Sequence, residues 1–168
     1  MNSYSDILTA AGVVITSGAL LFAGWSDLRR YIIPNRAPAA IALAYLLAIP
    51  GVSWPMWLGG LATALATLGV GSFLFARQWV GGGDVKLASA IVLWAGPTLL
   101  ADFVMMVSVS AAALAGIMIA LPRSGAAAAG QLHSGTLAAR LNQPMPFGVP
   151  LAVGGLWIVV SPLLTSLN

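Results

Sequence analysis

Six stretches of this chain run almost without a polar break, at about 7–26, 35–50, 55–76, 85–96, 98–121 and 146–166. A helix needs roughly 20 apolar residues to cross about 30 Å of hydrocarbon. The pattern therefore predicts an all-α polytopic membrane protein with about six transmembrane helices. The second and fourth stretches are short for a full crossing, so one of them is expected to sit shallow or to borrow flanking residues. Polar positions collect between the runs, at 27–36, 77–84 and 122–145. The last of these is long, rich in small residues, and predicts a loop with one helical turn around 135–141. Nothing is left over for a soluble domain, so residues 1–168 are read as a single membrane-embedded unit.

Composition sharpens this reading. Of the 168 residues 60% are hydrophobic and only 7% charged, and the mean hydropathy is +0.96. A soluble domain carries about a quarter charged residues, so the outer solvent of this chain is lipid. The start, "MNSYSDILTA", lacks the basic segment of a secretory leader. Residues 7–26 are accordingly expected to stay as the first span.

Charge orients the bundle. With both termini outside, the three polar segments face the cytoplasm and hold Arg29, Arg30, Arg36, Arg77, Arg123 and Arg140, with Lys86 just inside the fourth helix. Basic residues resist translocation, and this topology puts all seven on one side. The net charge of +3 follows from it, so no nucleic-acid partner is expected. Trp54 and Trp57 beside the short 51–54 loop suit an anchoring role at the interface.

The chain has no cysteine and a single histidine, His133. Disulfides, thiolate metal sites and histidine-rich metal sites are thereby excluded. No cofactor is expected, and His133 reads as a solvated loop residue. Chemistry must come from elsewhere, and the four acids can be taken singly. Asp6 lies in the N-terminal tail and Asp102 near the outer end of the fifth run, both read as water-facing.

Asp27, in "GWSDLRRYIIPN", and Asp84, in "GGGDVKL", differ: each stands where an apolar run meets the cytoplasmic boundary. Asp84 has an alternative job as a helix cap. Asp27 stands at a helix C-terminus, where the macrodipole disfavours an anion, so local structure gives no reason for an acid there. Ionisable groups at membrane depth are expensive and usually functional. Two carboxyls about 3 Å apart cannot both ionise and share one proton. The ionised member can draw a proton from water while the neutral one protonates an amide carbonyl. The pair titrates as a unit, so which residue is base and which acid stays open. Gly81, Gly82 and Gly83 would let a substrate backbone approach closely, or would form a flexible turn.

With these segments in place, the chain resembles the type IV prepilin peptidases, membrane aspartic proteases of the GxGD type. "SDLRRYIIPN" is similar to their first aspartate block, through Asp27, Arg29, Ile33, Pro34 and Asn35. "GGGDVKL" is similar to the second, through Gly81, Gly83, Asp84 and Lys86. "MPFGVPLAVGG" is similar to the Pro-aromatic-Gly entry to the last helix, through Pro146, Phe147 and Gly148. The resemblance implies catalytic roles for Asp27 and Asp84. It implies site-shaping or substrate-backbone roles for Gly81, Gly82, Gly83, Lys86, Pro34, Asn35, Pro146, Phe147 and Gly148. Lys86 has a second reading as a snorkelling anchor, and Pro34 with Asn35 as a helix start.

The implied activity is removal of a short leader from prepilins on the cytoplasmic face of the bacterial inner membrane, cutting usually after glycine and before the hydrophobic N-terminal helix. Larger members carry an added cytoplasmic region with paired cysteines, associated with N-methylation. This chain has neither, so it resembles the compact peptidase-only branch serving tight-adherence (Flp-type) pili. Its implied partners are Flp-type pilins, pseudopilins and membrane lipid. Presenilin-like intramembrane proteases and archaeal preflagellin peptidases share the GxGD aspartate. A small transporter or pilus assembly factor is the non-enzymatic alternative, but transport sites usually lie near the midplane.

Overall fold

The computed structural model describes residues 3–51, 53–120 and 145–165. Among these, all regular structure is helical: α1 (Ser3–Arg30), α2 (Arg36–Ala48) with a 3-10 turn (Ile49–Gly51), α3 (Trp54–Ala76), α4 (Gly82–Ala95), α5 (Leu100–Ala120) and α6 (Gly148–Thr165). The loop expected at 122–145, its helical turn and His133 lie outside the described residues, apart from Met145. Among the described residues, a helix covers each of the six apolar runs, with shifted ends. Three of them are long and apolar enough to cross a bilayer: Tyr4–Arg30, Trp54–Ala76 and Leu100–Ala120. Arg36–Gly51 and Gly148–Pro162 are shorter apolar helices. At 14 residues, α4 rises only about 21 Å.

The brevity of α4 is set at both ends. Gly81 precedes it in an extended conformation (φ −70°, ψ 139°). Gly96 closes it at φ +56°, donating its N–H to the Val92 carbonyl at 2.9 Å. A left-handed glycine followed by Pro97 is a strong stop. What α4 lacks in length it makes up in burial. Half of its residues are buried, among them Leu87, Ile91 and Val92, whereas α5 buries Phe103 alone. α4 is thus the central post of the bundle: α3, α2, α6 and α5 all pack against it. On the other side α1 packs against α2 and α6, and α6 against α5. Leu20, Leu87, Ile91 and Ile158 meet at the core without solvent exposure.

Between apolar helices in lipid, close approach and hydrogen bonds do the work that water does in soluble cores. α3 meets α4 at two glycines. A Cβ on Gly60 would fall 2.5 Å from the Leu93 carbonyl oxygen, and one on Gly71 would fall 2.6 Å from Val85 Cγ1. α4 is tied to α2 by Trp94, whose Nε1–H donates to the Ile41 carbonyl at 3.3 Å and whose ring meets Tyr45 edge-on. α3 terminates on Gln78, a non-glycine at φ 60°. Trp79 N–H bonds the Leu74 carbonyl (3.1 Å) and Gln78 N–H that of Phe75 (2.8 Å), the paired closure of a Schellman motif. It turns the chain sharply into Gly81 and α4.

The helix limits correct two expected loops. α1 continues through Arg30, so Asp27 is in its last turn. α4 begins at Gly82, so Gly82 and Gly83 are helical and form no flexible turn.

Candidate active site

Asp27 is 5% exposed. Its backbone carbonyl accepts the Tyr31 N–H at 2.8 Å, and Tyr31, at φ 53°, ends α1 there. Within α1 nothing calls for an acid at 27; the reason lies on another helix. Across the bundle the Gly148 N–H donates to Asp27 Oδ2 at 2.7 Å. Gly148 is the first residue of α6, so this N–H has no partner within its own helix. The carboxylate meets the positive end of α6, which offsets the unfavourable end of α1. Asp27 is thus a cap supplied from a distant segment, a role that nothing in its neighbouring sequence discloses.

Asp84 occupies the first turn of α4 and is half-buried. Burial pushes its carboxyl up from 3.8 to about 6; the neighbouring Asp27 charge adds to the rise, and a hydrogen bond from the Gly81 backbone opposes it. The acid that reaches back to the residue before its helix is the acidic half of a capping box. The two carboxyls of α1 and α4 therefore feel each other, each holding a glycine amide.

The three consecutive glycines have separate jobs. A Cβ on Gly81 would lie 2.8 Å from Asp84 Oδ2. On Gly82 it would meet the Phe75 ring at 3.2 Å, and on Gly83 the Ile33 Cβ at 3.2 Å. Gly83 thus seats the start of α4 on the "YIIPN" connector that follows α1, drawing the Asp84 block against the Asp27 block. Sequence reasoning passed over Phe75, which reads as one more apolar residue in a span.

Lys86 and Asn35 come together, but away from Asp84. Lys86 Nζ donates to Asn35 Oδ1 at 3.1 Å, and both line a groove with Pro38, Leu61, Leu65 and Leu93 that does not include Asp84. Two residues along a helix of 3.6 residues per turn point to nearly opposite sides. Asn35 precedes α2 without capping it through its side chain, because its amide oxygen takes the ammonium instead. Pro34 lends its carbonyl to the Ala37 N–H at 3.0 Å, which starts α2. Arg29 is also turned aside, with its guanidinium 4.1 Å from the Trp25 ring centroid.

Asp84 opens onto a different space, a cavity of about 390 Å³ lined by Val70, Gly71, Leu74, Val85, Phe147 and Leu151 among others. Among the described residues, Asp84 is its one charged lining residue. Of the last block, Pro146 is fully buried, Phe147 is 37% exposed at the cavity wall, and Gly148 is buried beside Asp27. The site is thus an Asp84 carboxyl that lines an apolar groove and feels the charge of the buried Asp27 behind it, each acid held by a helix-start amide. Among the described residues no group of three or more His, Cys, Asp or Glu side chains forms a metal-binding set.

A family model described as the type IV leader peptidase family matches residues 14–121. The chain belongs to the type IV leader peptidase family. Membership makes it a peptidase, and the apolar helices make it a membrane protein. The matched region carries Asp27 and Asp84 and ends before Pro146, Phe147 and Gly148. Comparison with curated proteins and with solved structures gave no match. For this leader peptidase, the arrangement of the last helix around Asp27 therefore comes from its own geometry.

Proposed function

We propose that this protein removes the short cytoplasmic leader from prepilins of the Flp type, cutting before their apolar N-terminal helix. In this reading residues 1–168 form one unit of six spans in the bacterial inner membrane, with both termini outside and the Asp27–Asp84 pair at the cytoplasmic edge. What supports it is an acid on α4, Asp84, that lines an apolar groove and feels the charge of a second acid, Asp27, on a separate helix. An amphipathic or apolar helix lays itself into such a groove, and the extended leader junction then passes the carboxyls.

The pair holds one proton. Its ionised member takes a proton from water as the water oxygen attacks the scissile carbonyl carbon. Its neutral member protonates the carbonyl oxygen. Collapse of the tetrahedral species breaks the C–N bond, with the proton gained from water passing to the leaving amine. The assignment of base and acid belongs to the pair. Lys86 and Asn35 take no part in proton transfer here and brace α2 against α4.

Co-expression with a Flp-type prepilin, scored by loss of the leader on gels, tests the proposal. Asp27→Asn and Asp84→Asn keep side-chain size and are expected to insert at wild-type levels with no detectable cleavage. Retained cleavage by either, at equal expression, would refute the dyad.

A further inference from the structure

We propose that Gly148 is a positioning residue for Asp27, acting through its amide N–H and through its lack of a side chain. The inference rests on the reading of Asp27 as catalytic, and it concerns a residue beyond the 14–121 region matched by the family. Three observations converge. The Gly148 N–H reaches Asp27 Oδ2 at 2.7 Å, both residues being buried. A Cβ at 148 would lie 2.9 Å from Asp27 Cβ and 2.9 Å from Oδ2, closer than real Cβ atoms come, and 3.0 Å from Cγ. The preceding Pro146 is fully buried and its carbonyl accepts the Val149 N–H at 3.3 Å, so the turn that presents the amide is itself fixed.

A donor aimed at one carboxylate oxygen fixes that oxygen as an acceptor. The other oxygen is left for water and for Asp84. The same bond favours the ionised carboxyl over the neutral one. Few other charges compete. α4, which is not among the elements packed against α1, brings Asp84 near enough for the two charges to interact, and Lys86 on the same helix is bonded to Asn35. α2 brings Arg36 at its exposed first residue, and α6 brings no titratable side chain among the described residues. On α1 itself, Arg29 lies over Trp25, and Arg30 is exposed.

The experiment uses full-length protein in lipid nanodiscs and a synthetic peptide with a basic leader, a glycine and an apolar segment. Gly148→Ala is expected to lower kcat about a hundredfold, the scale of a 1 Å misplacement, with little change in KM. The acid limb of kcat/KM should move to higher pH. Gly18→Ala, on α1 with nothing within 4 Å of its Cβ, is the control and keeps wild-type kinetics. A purely structural glycine would leave the pH profile in place, and that result overturns the proposal.

A second measurement does not need activity. Asp27→Gly removes all three atoms that the new Cβ strikes. The melting-temperature loss caused by Gly148→Ala should therefore shrink to less than half in the Asp27→Gly background. Equal losses in both backgrounds overturn the positioning role. If the wild type cleaves no prepilin peptide while this coupling stands, the proposed substrate falls and the Gly148–Asp27 contact survives.

Discussion

Asp84→Asn should make the protein more stable while destroying its activity, and only above a definite pH. In the folded chain burial and the Asp27 charge raise the Asp84 carboxyl from 3.8 to about 6. A rise of that size corresponds to about 3 kcal/mol, and Asp84 is only half-buried. Solvent screening brings the effect to roughly 1–2 kcal/mol. The sign follows from proton counting. Between about pH 4 and 6 the folded state of the wild type holds more protons than the unfolded state, so its stability falls as pH rises through this window. Above the folded value near 6 the loss is complete. Asparagine does not titrate and escapes it. The variant should thus match the wild type below pH 4 and melt roughly 2–8 °C higher at pH 7.5, taking about 2–4 °C per kcal/mol for a chain of this size. Thermal unfolding in the same detergent at several pH values measures it. A difference that does not vary with pH, or a less stable variant at pH 7.5, would refute the coupled-carboxyl argument. A strained group retained against stability is what an active site is expected to contain.

The kinetic counterpart is an alkaline limb: kcat/KM should fall about tenfold per pH unit once the pH exceeds the value near 6 at which the pair loses its shared proton. A flat profile from pH 6 to 9 would contradict it. Gly83→Val should cost about a hundredfold in cleavage rate, because its side chain pushes α4 off Ile33, whose Cβ would lie only 3.2 Å from a Cβ at 83. Gly116→Val, with nothing within 4 Å, should be silent in the same assay. Thr16→Val should raise stability by about 1 kcal/mol, since the Thr16 hydroxyl is buried without a hydrogen-bond partner among the described residues and such a group costs about 1–3 kcal/mol; unfolding of the variant checks this, and cleavage should not change.

The apolar runs alone determined that the chain is helical and lives in lipid, because a sequence with 7% charge has no other solvent to face. Among the described residues, each apolar run coincides with a helix whose ends differ from the run's by a few residues. The two acids stood out for the same reason, being costly at membrane depth. Tertiary structure decided what surrounds them. The short reach of α4 is tolerable because neighbouring helices, rather than lipid, cover it. Lys86 turns to Asn35 on the far side of α4 from Asp84, a consequence of helical rotation that a motif read as a string hides. Gly83 brings the two blocks into contact through Ile33. Most of all, the hydrogen bond from Gly148 to Asp27 spans 121 residues. A carboxylate's partner is fixed by which helix end packs opposite it, and that choice is made by the whole bundle rather than by any stretch of neighbouring residues.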